Sequence, residues 1–392
     1  MTDIRTIGDL IETLIDYRGK TPPKSSSGVP LITAKVIKGG SILPEPREYI
    51  AEETYEGWMR RGLPCSGDIL ITTEAPLGEV AQVGPDARIA LAQRVILLRA
   101  DPTRIDPQFF FHYLRSPQAR ASLMRRASGT TVSGIRQPEL RAVEIPLLPR
   151  STQDAVGRIL DGFDGLIENN RRRIQILQEI VQATYREWFV WFRYPGHRDV
   201  ALVDSPMGPI PDGWHAATLG DVIELKYGKA LKADARVAGA VAVVGSSGII
   251  GWHDEALIEG PAIIIGRKGN VGSVSWIDGA CWPIDTTFFA ESALPLRFVV
   301  EQLRRTEFLN THAAVPGLSR DLAYSRPFLR PPEHLMNQFS KISEALASEG
   351  ASLEQQNQCL IRMRDFLLPK LVTGKIDVPW FDLDALGQAT VA

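Results

Sequence analysis

The chain has 392 residues, with 44 lysines and arginines against 46 aspartates and glutamates, so its formal net charge is −2. This length allows two or three domains, and a hydrophobic content of 44% is enough for buried cores. The acidic start is unlike a secretory signal peptide, and no run approaches the ~18 apolar residues of a membrane span. The three cysteines (Cys65, Cys281 and Cys359) form no C-x-x-C pair, so we expect a protein of the reducing cytoplasm without disulfides or a zinc ribbon.

The chain contains an internal repeat. Short segments of the first half recur in the same order in the second, pairing residues 7–12 with 219–224, 17–20 with 227–229, 67–71 with 260–265, and 77–80 with 271–274. Within each copy, short β-rich segments precede a helical one. The pattern predicts an α/β fold with two mixed α/β domains in pseudo-twofold repeat, at residues 1–150 and 216–332.

Each predicted domain is followed by a long segment, residues 151–194 and 333–372, in which apolar positions alternate three and four residues apart. This spacing is typical of coiled-coil helices. The two helices could each pack on their own domain, but their matched lengths favour pairing with each other. The predicted contact positions are Ile167, Asn170, Ile174 and Leu177 on the first helix, and Leu353, Gln356, Leu360 and Met363 on the second. Asn170 and Gln356 would form a buried polar pair that fixes the register.

Two further segments have distinct compositions. Residues 195–215 are rich in proline and glycine and predict an ordered linker between the copies, whereas residues 373–392 form an acidic tail. Positive charge is concentrated in the two domains: residues 115–141 contain six arginines and one acid, and residues 226–236 contain four basic residues and one acid. Such clusters neutralise phosphates, although a solvated helix face is the ordinary alternative for any single arginine.

Catalytic motifs are weak. The six histidines include no pair at i, i+4 that would bind a metal ion, and we predict no metal site. Asp212, Glu224 and Lys226 fit the permissive acid and lysine pattern of Mg²⁺-dependent nucleases, but Asp212 also suits a Pro-Asp-Gly turn. We therefore expect a non-catalytic chain.

Three junction motifs carry a family resemblance: residues 187–192 (EWFVWF), 208–214 (GPIPDGW) and 367–375 (LLPKLVTGK). Together with the repeat, they resemble the DNA specificity subunits of type I restriction–modification systems. The resemblance implies two target-recognition domains separated by a pair of long antiparallel helices, with each domain reading one half of a split DNA target. It also implies docking of two methyltransferase subunits, which use S-adenosylmethionine, and of restriction/translocase subunits, with no cofactor bound by this chain itself.

The candidate DNA contacts are basic or polar residues of the two domains. They are Lys20, Lys35, Thr73, Arg94 and Arg136 in the first domain, and Lys229, Arg267, Lys268, Asn270 and Arg320 in the second. Two other functions remain open from the sequence: a single-chain Mg²⁺-dependent nuclease, and a coiled-coil adaptor that does not bind DNA.

Overall fold

The computed structural model of the protein describes residues 3–17, 20–85, 87–129, 133–308, 317–376 and 378. It divides into two compact units, residues 1–170 with 355–392 and residues 171–354. Each unit contains one predicted α/β domain and part of each long helix. Most of the acidic tail, residues 377 and 379–392, lies outside the described residues, as do residues 130–132 of the loop before Arg136.

The strands of the first half are β1 (Asp3–Thr6), β2 (Ile11–Asp16), β3 (Val29–Ile32), β4 (Ile37–Lys38), β5 (Ser41–Ile42), β6 (Tyr49–Ile50), β7 (Ile69–Thr73), β8 (Leu77–Gln82), β9 (Ala90–Leu91), β10 (Val95–Ala100) and β11 (Glu144–Leu147). The helices are α1 (Ile7–Leu10), α2 (Glu52–Trp58), α3 (Pro107–Arg115), α4 (Pro117–Arg126), α5 (Gln137–Arg141) and α6 (Arg150–Tyr185). An antiparallel sheet runs in the order β2-β10-β7-β8. Beside it, β3 pairs antiparallel with β6 and parallel with β9, and β1 pairs with β11.

The strands of the second half are β12 (Leu202–Val203), β13 (Ile210–Pro211), β14 (His215–Thr218), β15 (Glu224–Tyr227), β16 (Val241–Gly245), β17 (Gly248–His253), β18 (Ala262–Gly266), β19 (Val274–Ile277), β20 (Cys281–Pro283), β21 (Thr287–Glu291) and β22 (Pro327–Arg330). The helices are α7 (Leu219–Val222), α8 (Leu296–Arg304), α9 (Arg320–Tyr324) and α10 (Glu333–Leu371). Here the sheet order is β15-β21-β18-β19, β16 pairs antiparallel with β17 and parallel with β20, and β14 pairs with β22. The same topology appears twice, which confirms the predicted repeat.

The repeat extends to individual hydrogen bonds. Thr6 and Asp9 form a capping box at the start of α1, and Thr218 and Asp221 form the same box at the start of α7. In both copies the cap lies between a two-stranded pairing and the first strand of the four-stranded sheet. Unpaired amides in the first turn of so short a helix would cost free energy. The capping box satisfies them and so stabilises the turn that leads into the sheet.

Both faces of the four-stranded sheets are covered, so every residue of β7 and of β18 is buried. In the first domain, Ile69 and Ile71 pack with Phe109 of α3, whereas Leu70 faces a second core containing Leu31 of β3. In the second domain, alternate residues of β18 divide between two cores in the same way. A strand with one face in solvent alternates apolar and polar residues, whereas a strand buried on both faces has consecutive apolar residues.

The two long helices pack against each other within each unit, in antiparallel order. In the first unit, Leu160 of α6 lies in one core with Leu368 of α10, and Asp164 hydrogen-bonds to Arg364 at 2.7 Å. In the second unit, the rings of Tyr185 and Phe339 lie 5.6 Å apart between their centroids. Arg173 there pairs with Glu349 at 3.1 Å. The helices therefore pair with each other, and they also pack on the domains.

The contact face of α10 differs from the prediction. On α6, Ile167 and Asn170 are buried, and Ile174 and Leu177 are partly buried. On α10, Leu353 is buried and Leu360 partly buried, but Gln356 and Met363 are exposed, and Asn357 and Arg364 take the inward positions. A straight α-helix has 3.6 residues per turn, so a strict alternation of three and four drifts off the contact line. A step of four from Leu353 therefore leads to Asn357, and the predicted placement of Gln356 is wrong.

The helix ends also differ in detail from the predicted segments. After Tyr185, α6 continues as a π-helical turn, Arg186–Val190, and the following residues leave the helix so that Tyr194 packs against Trp214 at 5.3 Å between ring centroids. The linker holds a short 3₁₀ turn, His197–Asp199, and the β12–β13 pair. Among the described residues, no helix is long and apolar enough to cross a membrane.

Candidate nucleic-acid interface

In the first domain, three candidate residues lie at one end of the four-stranded sheet. Asp16 of β2 and Ile71 of β7 both pair with Ile96 of β10, so the end of β2, the end of β7 and the start of β10 coincide. Lys20 follows β2, Thr73 ends β7 and Arg94 precedes β10. We call this edge, with the loops that follow it, the first sheet end.

Backbone hydrogen bonds join a fourth candidate to this group. The Thr73 amide donates to the carbonyl of Arg94 at 3.0 Å, and the Ile135 amide donates to the carbonyl of Thr73 at 3.0 Å. The second bond places Arg136, the exposed N-cap of α5, beside the first sheet end. The Arg94 guanidinium forms an ion pair with Glu74 at 2.7 Å, so this arginine is already partly neutralised.

Two first-domain candidates are placed differently. Thr73 is buried, because β7 is covered on both faces, and its hydroxyl has no hydrogen-bond partner within the described ranges. Its side chain is therefore not at the surface where a DNA contact needs it, which corrects the prediction of Thr73 as a DNA contact. Lys35 is exposed and follows β3, not β2, β7 or β10, whose ends form the first sheet end.

Three of the six arginines in the arginine-rich segment of the first domain form ion pairs within the fold. Arg115 is partly buried and forms an ion pair with Asp164 of α6, Arg120 pairs with Glu79 at 3.5 Å, and Arg126 pairs with Glu139 at 3.3 Å. Burial raises the pKa of Asp164, but hydrogen bonds and charge from Arg115 and Arg364 outweigh it and hold that pKa below its ordinary value. The charge count of this segment therefore overstates what it offers to phosphates.

The second domain repeats the arrangement with different side chains. Tyr227 of β15 and Ile265 of β18 both pair with Phe288 of β21, and Lys229 follows β15 just as Lys20 follows β2. The β18–β19 turn carries Arg267, Lys268 and Asn270, with the first two amides donating to the carbonyl of Thr286 at 2.9 and 3.1 Å. The Leu318 amide donates to the carbonyl of Arg267 at 2.9 Å, which brings Arg320 at the start of α9 into the same group. We call this edge the second sheet end.

Tyr227 is a residue of this site that sequence reasoning missed. The guanidinium carbon of Arg320 lies 4.6 Å from the centroid of its ring, and that of Arg267 lies 5.2 Å away. The repeated Tyr-x-Gly-Lys and Tyr-Gly-Lys segments could have indicated this tyrosine, but only their lysines were predicted as DNA contacts. Arginine over an aromatic face is a favourable cation–π arrangement.

The tip of the β16–β17 hairpin also joins the second sheet end. The Asn270 amide lies 3.4 Å from the Ser246 hydroxyl oxygen, and the Ser273 hydroxyl donates to the Ser246 carbonyl at 2.6 Å. These bonds hold the β18–β19 turn from a second side. The turn is therefore a fixed platform for Lys268 and Asn270, which are exposed.

Two residues of the possible nuclease site have other partners. The Lys226 ammonium pairs with Glu291 at 2.5 Å, and this hydrogen bond raises the pKa of Lys226. Asp212 accepts a hydrogen bond from the Gly213 amide at 2.9 Å in its own turn. Within the described part of the chain, no group of three or more histidine, cysteine, aspartate or glutamate side chains could hold a metal ion.

Comparisons with known proteins agree with this geometry. Residues 2–179 match the family described as type I restriction modification DNA specificity domain. The chain is 23% identical to the type I restriction enzyme MjaIX specificity subunit of Methanocaldococcus jannaschii, over 96% of this chain and 94% of the relative. It is 32% identical to a putative type I specificity subunit of Mycoplasma pneumoniae, over 35% of this chain and 34% of the relative. The fold is similar to a crystal structure of a type I restriction-modification S subunit from M. genitalium, with a TM-score of 0.56, 20% identity and coverage of 95% and 96%.

Proposed function

We propose that the chain is a DNA specificity subunit of a type I restriction–modification system and that it reads a DNA target in two halves, one at each sheet end. Its similarity to such subunits, over residues 2–179 and along 96% of the chain, supports this proposal. The observation that carries this proposal is the duplicated site. The same edge of the same sheet bears exposed basic residues in both domains, including Lys20 and Arg136 in the first and Lys229 and Lys268 in the second. Lysine and arginine supply the phosphate contacts of such an interface, and arginine forks read guanine edges.

The long helices support docking of partner subunits. In the first unit, Leu166 of α6 and Met363 and Phe366 of α10 are exposed, and in the second unit Ile176 and Ile180 of α6 are exposed. Large apolar side chains in neighbouring helical positions are typical of surfaces that bury against another protein. We assign these surfaces to two methyltransferase subunits, which bring S-adenosylmethionine, and expect restriction/translocase subunits to join that complex. The chain itself would contribute recognition and no catalytic group.

The same helices suit the spacing of a split target. The 36 residues of α6 and 39 of α10 correspond to about 54 and 58 Å at 1.5 Å per residue. A base pair occupies about 3.4 Å along the duplex, so helices of this length can hold two half-sites several base pairs apart. In this proposal the helix pair acts as a molecular ruler.

The proposal is tested by the salt dependence of DNA binding. The chain is purified in complex with its methyltransferase subunits, and its affinity for mixed-sequence duplexes is measured from 50 to 200 mM salt. We expect a steep linear fall of log affinity with log salt concentration, with a slope of about −0.9 per neutralised phosphate. A flat dependence would favour an adaptor that does not bind DNA. Cleavage by the chain alone with Mg²⁺, lost in Glu224→Ala, would favour a nuclease.

A further inference from the structure

The strongest unassigned feature is the group formed by Tyr227, Arg267 and Arg320 at the second sheet end. Tyr227 is 51% exposed, and the two arginines approach its ring at 5.2 and 4.6 Å from its centroid. Arg267 also lies 5.8 Å from the centroid of the buried Phe288 ring. The three side chains come from β15, the β18–β19 turn and α9, so the fold brings them together from distant parts of the sequence.

The two arginines have no counterion in the part of the chain that the structure describes. Arg267 and Arg320 form no ion pair there, and the Arg320 Nε is buried without a hydrogen-bond partner. By contrast, Arg297 of the same domain lies 3.9 Å from the centroid of Trp276 but pairs with Asp278 at 2.8 Å. An arginine held against a ring, with its donors unused and no acid beside it, is prepared to bind an anion or an acceptor edge.

The first domain has no equivalent group. Strand register places Asp16 at the position of Tyr227, and matching backbone hydrogen bonds place Thr73 at the position of Arg267; both first-domain residues are buried. The neighbouring Tyr17 is also buried and stacks on Trp58 at 5.1 Å between ring centroids, and Glu74 neutralises Arg94. The two sheet ends therefore share a backbone arrangement but differ in recognition chemistry.

We propose that Arg267 and Arg320, held against the ring of Tyr227, read guanine in the half-site bound by the second domain. This inference rests on the proposed function and specifies its chemistry. Contact with the ring restrains the guanidinium groups while their planar donor edges stay free to form paired hydrogen bonds to the O6 and N7 atoms of guanine. The half-site of the second domain therefore contains a specified G·C pair, and the half-site of the first domain does not depend on this group.

The test uses the full chain with its methyltransferase subunits, expressed in cells that carry a plasmid library of randomised sequence, with methylated bases mapped by sequencing. For Arg267→Gln, Arg320→Gln and Tyr227→Ala we expect preference for a G·C pair to fall roughly ten- to hundredfold in one half of the motif, the same half each time. Arg267→Lys keeps the positive charge but removes the planar guanidinium with its paired donors. This variant should therefore retain methylation and lose the preference for a G·C pair. Arg297→Gln is the matched control and should leave both halves unchanged.

The outcomes separate the two claims. If the unaltered chain gives no split motif, the proposed function fails. If it gives one and the three variants alter both halves equally, or neither, the guanine-reading group is overturned while the proposed function stands. Retained discrimination in Arg267→Lys would show that the planar guanidinium is not required and would overturn the proposed paired hydrogen bonds from Arg267. The folding of a variant that gives no methylation at all is checked by the midpoint of its urea denaturation. If that midpoint is normal, the complete loss of methylation also contradicts a role confined to one base pair.

Discussion

Arginine and lysine side chains in this molecule differ in whether an acid already neutralises them. Arg115, Arg120 and Arg126 have carboxylate partners, whereas Arg267 and Arg320 have none within the described ranges. An ion pair removes most of the charge that a phosphate would otherwise meet, so the number of basic residues in a segment is a poor guide to its DNA affinity. At this scale, recognition depends on the partners of each side chain.

The exposed lysines of the first domain provide a direct check. Lys20→Ala and Lys35→Ala should each weaken DNA binding of the methyltransferase complex to a similar extent on all sequences. Each should also reduce the salt slope by about 1, because each lysine neutralises about one phosphate. Lys24→Ala is the control, since Lys24 already pairs with Glu48 at 2.8 Å and should leave the slope unchanged. An unchanged slope in both test variants would remove these lysines from the interface.

Asp164 connects α6 to Arg115 of the first domain and to Arg364 of α10. With a side chain only 29% exposed, its replacement leaves two arginines short of a partner, so Asp164→Asn should lower the free energy of unfolding by about 1–3 kcal/mol at neutral pH. Asp365→Asn removes a more exposed partner of Arg364 and should cost less than about 0.5 kcal/mol. Urea denaturation measures both, and equal losses would contradict the central position of Asp164.

The pH dependence of the same variant has a definite sign. The pKa of Asp164 is lower in the folded chain than its ordinary value of 3.8, so its contribution to stability is complete above that value. The contribution is lost as the pH falls through the lower folded pKa, on protonation of the carboxylate. The difference in stability between the unaltered chain and Asp164→Asn should therefore be largest near neutral pH and shrink below about pH 4. A difference that grows on acidification would contradict this assignment.

At the scale of whole elements, the sequence was most informative where local patterns decide the structure. The repeated apolar segments predicted the strands, and the three-and-four spacing predicted both long helices. The step from Leu353 to Asn357 was not predictable in the same way, because it depends on how a straight helix drifts against its neighbour. The ion pair between Arg115 and Asp164 and the contact of Arg320 with Tyr227 join residues far apart in sequence, and no local pattern encodes them.

Asn357 gives a prediction about the helix pair. It is 2% exposed, and neither its amide nitrogen nor its oxygen has a hydrogen-bond partner within the described ranges. Asn357→Leu should therefore raise the free energy of unfolding by about 1–2 kcal/mol, because it removes an unsatisfied buried amide. Gln356→Leu, at the exposed neighbouring position, should change it by less than about 0.5 kcal/mol. Both are measured by urea denaturation, and a strong loss in Asn357→Leu would show that the amide is hydrogen-bonded in solution.

At the scale of the whole molecule, the near-zero net charge is an average over unlike parts. Two sheet ends carry exposed basic residues, several arginines are neutralised inside the first unit, and residues 373–392 contain acids. In the proposed function, a duplicated reader with little excess charge would reach high DNA affinity together with partner subunits, which contribute their own surface.

The most direct test of the account is a map of methylated bases in genomic DNA from cells with and without this chain, each containing the same methyltransferase subunits. The account predicts a motif that appears only with the chain and consists of two specified blocks separated by several unspecified base pairs, because two sheet ends read independently. A single continuous motif, or an identical map without the chain, would contradict it.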